Sequence, residues 1–262
     1  MRKHCKKIIS YILLITLVFT IIGDKNPVLA DENIDEGKCG INTHYVLDSN
    51  GTLTISGKGK VTSNNWIDFK EQIKKVIIEE GVINIPYRAF SGCKHLTEVS
   101  MAYTVQEMGP YSFDGCGALE EIALSERIKT IPNNTFNWCT NLRKITIPDN
   151  VEEIQDEAFY GCTKLIDIKM SKKVRNVGRD VFGNTAFWNN DDNWENGILY
   201  CGSVLITRKG DIADVVTVKE GTRVIETSAF ASSHLSKLIL PESMITIDKD
   251  AFYDCKSLKE IV

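Results

Sequence analysis

The chain has 262 residues, 43% of them hydrophobic and 25% charged, with a formal net charge of −4. That balance supports a buried core and excludes a disordered chain. An acidic chain is also a poor partner for nucleic acid or an anionic membrane surface.

The first thirty residues stand apart. Met1 to Lys7 is a basic stretch, Ile8 to Ile22 is mostly apolar, and Val28-Leu29-Ala30 places small residues before a cleavage point. This is the pattern of a secretory signal peptide, and the apolar run is short for a membrane span. Cleavage after Ala30 removes five of 31 basic and one of 35 acidic residues. The remainder has 26 basic and 34 acidic residues, a net charge of −8, and no further apolar run long enough to span a membrane. An exported protein, secreted or held at the cell surface, is expected.

Residues 31–72 read as a linker and an end cap. Tyr45 to Ile55 alternates apolar and polar residues around Asn50-Gly51, a strong hairpin signal. The segment Trp66 to Lys74 is expected to form a short helix or turn into the first repeat.

From residue 73 onward the chain repeats. Phe90, Phe113, Phe136, Phe159 and Phe182 recur with a constant period of twenty-three, and Cys93, Cys116, Cys139 and Cys162 follow three residues behind. A fixed period of this size predicts a solenoid. Fourteen and twelve residues before each phenylalanine stand apolar pairs such as Val76/Ile78, Ile145/Ile147 and Leu238/Leu240. They predict short strands that pair in parallel from coil to coil, with the phenylalanines forming one continuous aromatic spine. Between Phe182 and Phe230 the spacing is roughly doubled, so residues 183–212 hold an insertion. Asn196 to Ile206 predicts a β-hairpin around Gly202 at one edge of the solenoid. Leu258 to Val262 opens another repeat, which predicts an exposed strand edge able to pair with a second chain.

The string from Leu142 to Leu165, LRKITIPDNVEEIQDEAFYGCTKL, resembles the repeat of BspA-type bacterial leucine-rich-repeat proteins. So do Cys39 to Gly57 and Trp188 to Tyr200. The resemblance covers residues 38–262, with Thr185 and Ser233 in place of the cysteine and Trp138 in place of a glycine. It implies a surface-associated protein that binds extracellular proteins or other cells, and it carries over no catalytic residue.

Seven cysteines remain after cleavage. Parallel side chains in a ladder hold their β-carbons too far apart for a disulfide, so buried free thiols used for packing are expected. Cys39, Cys201 and Cys255 are less constrained, and an exposed thiol is expected, if anywhere, at Cys39 or Cys201. His44, His95 and His234 are far apart in sequence. The polar run Asn189 to Glu195 lacks the spacing of a calcium loop. No catalytic motif is present, so no enzyme activity, metal or cofactor is implied.

Two surfaces are candidates for a partner, expected to be an extracellular protein or glycan. One is aromatic: Trp138 and Tyr160 at turn positions, with Trp188, Trp194 and Tyr200 in the insertion. The other is the outward strand face, where Glu121, Lys144, Asp167 and Lys169 lie in rows. The alternative to adhesion is an assembly module that pairs through the C-terminal strand edge.

Overall fold

The structure is a computed structural model, and it describes residues 32–262. The expected signal peptide lies outside the described residues. No helix among them is long and apolar enough to cross a membrane.

The chain begins with three antiparallel strands, β1 (Asn33–Lys38), β2 (Thr43–Asp48) and β3 (Thr52–Gly57). The expected hairpin is β2–β3. Its turn places Gly51 at φ +87°, while Asp48 Oδ1 accepts the amides of Asn50 and Thr52 at 3.0 and 2.8 Å. The linker contributes β1, which pairs with β2 where an extension of the hairpin alone was expected. On its other side β3 pairs in parallel with β4 (Lys75–Ile78), Leu53 opposite Val76, so the cap feeds straight into the repeat sheet. A 3-10 turn at Asn65–Phe69 buries Trp66 at the head of the stack.

From there the chain winds as a solenoid, one coil to each repeat. The strand twelve to fifteen residues before each phenylalanine pairs in parallel with its equivalent in the next coil: Val76 with Val99, Ile145 with Ile168, Val216 with Leu238. A second set of two-residue strands pairs on another face, such as Glu153–Ile154 between Thr130–Ile131 and Asn176–Val177. The expected parallel register is therefore present, except around one coil, where the second set also breaks between Glu107–Met108 and Thr130–Ile131. Glu121–Leu124 is not a paired strand, and the first sheet stops at Glu98–Met101.

Inside, Phe90 to Phe182 stack with ring centroids 5.1–5.5 Å apart, and all five are fully buried. Offset aromatic contacts at this distance add to simple apolar burial. Trp66 extends the spine by a further 6.1 Å, with its Nε1 donating to the Ala89 carbonyl at 2.8 Å. The spine is not continuous. Phe182 meets Phe187 edge-on at 6.4 Å, and Phe230 and Phe252 start a second stack at 5.7 Å. The interruption is the insertion: a short helix (Ala186–Asn189), a strand pair at Trp194–Glu195 and Ile198–Cys201, and the return strand Val204–Arg208. That return strand pairs in parallel with Val224–Ile225 and rejoins the stack. The core accordingly falls into two clusters that meet at this junction.

Candidate functional site

The outward strand face carries a row of charge set by one position of the repeat: Lys75, Glu98, Glu121, Lys144 and Asp167. Neighbouring coils pair these charges, Lys75 with Glu98 at 2.7 Å and Lys144 with Asp167 at 3.1 Å. Glu121 lies between the two pairs and forms no ion pair among the described residues. Lys169, exposed, ends the next row, in which Ser100, Ala123 and Thr146 are small. These exposed ion pairs contribute about 0–1 kcal/mol each, so the row matters as a pattern of charge more than as a source of stability.

The aromatic corner lies elsewhere on the coil. Two residues after each phenylalanine the backbone turns with positive φ, a conformation that suits Gly92, Gly115 and Gly161. Four coils hold another residue there at the same positive φ, Asn184, Ser232 and Asp254 at 57°, 57° and 56°, and the bulky Trp138 at 55°. A bulky side chain in this region costs roughly 1–2 kcal/mol. Trp138 is 48% exposed and meets Tyr160 edge-on at 6.0 Å. Its ring lies on Gly161, where a β-carbon would stand 2.8 Å from it, and Tyr160 lies on Gly183 in the same way. Gly161 and Gly183 are therefore seats for the aromatic rings of the preceding coils.

The insertion's aromatic residues are placed differently. Trp188 and Trp194 are half-buried, pack against the main core and meet edge-on at 5.6 Å, with Trp194 Nε1 donating to the Trp188 carbonyl at 2.9 Å. Tyr200 packs on the second core, and its hydroxyl accepts the Lys219 amide at 3.3 Å. These three hold the hairpin onto the stack. Trp138 and Tyr160 meet each other but do not join them in one site.

Cys93, Cys116, Cys139 and Cys162 are fully buried, and so is Cys39; Cys201 is also buried, contrary to the exposed thiol expected at one of those two positions. Burial pushes the thiols of Cys93 and Cys201 up to about 12, and those of Cys139 and Cys162 well above the ordinary value. Such thiols are poor nucleophiles and poor ligands at neutral pH. Among the described residues no group of three His, Cys, Asp or Glu side chains is placed to hold a metal ion.

One feature of the junction escaped the sequence reading. Glu226 and Asp248 occupy the same position of successive coils, four residues before Phe230 and Phe252. Asp248 Oδ2 accepts the Val177 amide at 2.7 Å, and Glu226 Oε1 accepts the Val181 amide at 3.4 Å. They cap backbone groups left free where the first stack ends. Glu226 is buried, and its Oε2 has no partner. The only signal was a carboxylate at a position that earlier coils fill with Pro86, Gly109, Pro132, Gln155 and Gly178.

The parallel coils, the aromatic spine and the extended outer face define a leucine-rich-repeat solenoid, an architecture whose regular surface serves as a binding scaffold. Six copies of the BspA type leucine rich repeat region match the chain, over residues 63–188 and 212–262, and the chain belongs to that family. No curated protein matches it by sequence. Solved structures similar to it include the following three. A leucine-rich repeat protein from Eubacterium ventriosum is 19% identical, with TM-score 0.48, over 88% of this chain and 72% of that one. A leucine rich cell surface protein from Faecalibacterium prausnitzii is 21% identical, with TM-score 0.42, over 88% and 76%. The pneumococcal vaccine antigen PcpA is 18% identical, with TM-score 0.43, over 88% and 70%.

Proposed function

We propose that this is an exported, non-catalytic binding protein of the cell surface, which attaches the cell to an extracellular protein or glycan, or to another cell. Export is supported by the basic and apolar pattern of residues 1–30. The single observation that carries the binding reading is Trp138. A tryptophan half-exposed at a position that favours glycine is kept there against its own backbone preference. Residues held so are concentrated at functional sites. Tyr160 beside it enlarges the aromatic surface, and exposed aromatic side chains are frequent anchors of binding energy.

The test is adhesion of cells carrying Trp138→Gly, alongside binding of the purified variant to immobilised extracellular-matrix proteins. Glycine suits the positive φ of this position, so the fold is expected to survive while binding falls at least tenfold. A variant that binds as the parent does would refute the assignment of Trp138.

A further inference from the structure

On the face built from two-residue strands, one pair of neighbouring coils is not joined. Asn84–Ile85 pairs with Glu107–Met108, and Thr130–Ile131 pairs with Glu153–Ile154, but no ladder links Glu107–Met108 to Thr130–Ile131. Elsewhere on this face one bond recurs. The Gly109 amide donates to the Ile85 carbonyl, Gln155 to Ile131 and Gly178 to Ile154, at 2.8–2.9 Å. The equivalent residue at the gap is Pro132, which has no N–H to give. The Met108 carbonyl is left without that donor.

A groove of about 530 Å³ lies over this gap, within the usual size of a small-ligand site. Gln106, Met108, Arg127, Lys129, Thr130 and Gln155 line it, with Pro110 and Pro132 also in the wall. Its charge is opposite to that of the acidic chain. Arg127 and Lys129 are exposed and form no ion pair among the described residues. The one carboxylate in the wall, Glu107, is held by Lys60 at 2.8 Å. Glu153, in the next coil, accepts from Gln155 Nε2 at 3.2 Å.

The arginine is set in place by its neighbours. Its guanidinium lies 5.8 Å from the centre of the Tyr103 ring, and its Nη2 donates to Gln106 Oε1 at 3.3 Å. A guanidinium held on a ring gives up less freedom when it binds, and its planar fork fits a carboxylate. A second cluster of the same kind flanks the groove, because Tyr111 follows Pro110 of the wall. There Arg88 lies over the rings of Tyr87 and Tyr111, at 5.3 and 5.0 Å. Asp114 offsets part of the Arg88 charge, so Arg127 and Lys129 are the principal cations.

We propose that this groove binds an acidic polysaccharide, a chain of sugars that carry carboxylates. Arg127 and Lys129 hold the carboxylates, Arg127 through a two-bond fork. Sugar hydroxyls donate to the Met108 carbonyl and accept from Gln106 Nε2. Tyr87 and Tyr103 are 55% and 63% exposed and offer ring faces to the apolar side of a sugar. A peptide fits less well. The apolar wall is Met108, itself only 7% exposed, and two prolines, which make no pocket for an apolar side chain. The groove deepens the binding reading above and rests on it for the existence of a partner, but it uses a different part of the coil from Trp138.

The test is fluorescence anisotropy of the protein with labelled octasaccharides of two uronic-acid polymers, polygalacturonate and hyaluronan. Two controls accompany them: the same octasaccharides with their carboxylates reduced to alcohols, and hexa-aspartate. At least one acidic octasaccharide is expected to bind, with both controls weaker by about tenfold or more. Its affinity should fall as salt is raised. Arg127→Gln and Lys129→Gln should each weaken binding by about tenfold. Both side chains are exposed, so the thermal midpoints should not change. Trp138→Gly should bind the octasaccharide normally. Binding of neither octasaccharide, equal binding of the reduced forms, tighter binding of hexa-aspartate, or unchanged binding in both groove variants would each overturn the proposal. Loss of adhesion in Trp138→Gly alongside any of those results would leave the aromatic site standing alone. Octasaccharide binding with adhesion intact in Trp138→Gly would support the groove and refute the aromatic site.

Discussion

The Cys139 thiol donates to the carbonyl of Phe113, one coil back, at 3.2 Å. Cys116 and Cys162 make the same bond to Phe90 and Phe136, at 3.2 and 3.0 Å, and Cys255 makes it to Phe230 at 3.0 Å. In these four coils the repeated cysteine is thus a small donor that ties its coil to the aromatic spine of the one before. Thr185 keeps a donor there too, although its hydroxyl bonds the carbonyl of its own coil's Phe182 at 2.7 Å. Cys139→Ala removes the donor and leaves a void, and should destabilise the chain by about 1–2 kcal/mol. Cys139→Ser keeps the donor and should cost less. Urea unfolding of the two variants checks the order, and an alanine variant more stable than the serine one would contradict it.

The same burial makes the thiols inert and the fold sensitive to alkali. The folded chain keeps protons on Cys93 and Cys201 up to about pH 12, whereas their unfolded value is near 9.0. As pH rises above 9 the unfolded chain releases protons that the folded chain retains, so stability falls progressively toward pH 12. The thermal midpoint should therefore drop between pH 8 and pH 10.5. At pH 8 the buried thiols should resist a thiol reagent until guanidinium is added, with only half-buried Cys255 reacting early. Rapid labelling of all seven in the folded protein would rule this out.

Phe136 lies between Phe113 and Phe159, at 5.4 and 5.3 Å, and is fully buried. Phe136→Ala should cost about 3–5 kcal/mol. In a stack held by neighbour contacts, the damage should centre on the adjoining coils. Hydrogen exchange should show lost protection near Ile131, Ile145 and Ile154, and little change at β2 and β3. Uniform loss of protection from end to end would mean that the coils unfold as one unit.

Most of the repeat was legible because one period sets everything inside it: the strand pairs, the phenylalanines and the cysteines all follow from a single fixed spacing. What escaped the sequence depends on neighbours in space. Trp66 joins the spine although it stands one position out of register with the phenylalanines and is a different residue type. Ile122 and Leu124 keep the apolar pattern of a strand, yet the parallel ladder stops at this coil, a break visible only once the coils are stacked. Trp138 and Tyr160 were readable as aromatic residues at turn positions, but their seats on Gly161 and Gly183 were not. Trp188 and Trp194 carry the same signal of residue type, while the structure packs both against the core.

Glu226 provides a test of the junction between the two core clusters. It is buried beside Asp180, Asp248 and Asp156, and it accepts one amide, from Val181. Burial first, and then the neighbouring carboxylates, push its carboxyl well above the ordinary 4.5. The folded chain therefore holds a proton that the unfolded chain gives up above pH 4.5, and this contribution to stability is lost as pH rises. Glu226→Gln keeps the shape and the acceptor for Val181 but does not titrate. Its thermal midpoint should match the parent's near pH 4 and exceed it at pH 7.5, with the gap opening as pH increases. The gain should appear in the coils that meet at the junction, as slower exchange at Val177 and Val181. Parallel pH profiles for the two proteins would show that Glu226 is not the group that loosens this joint.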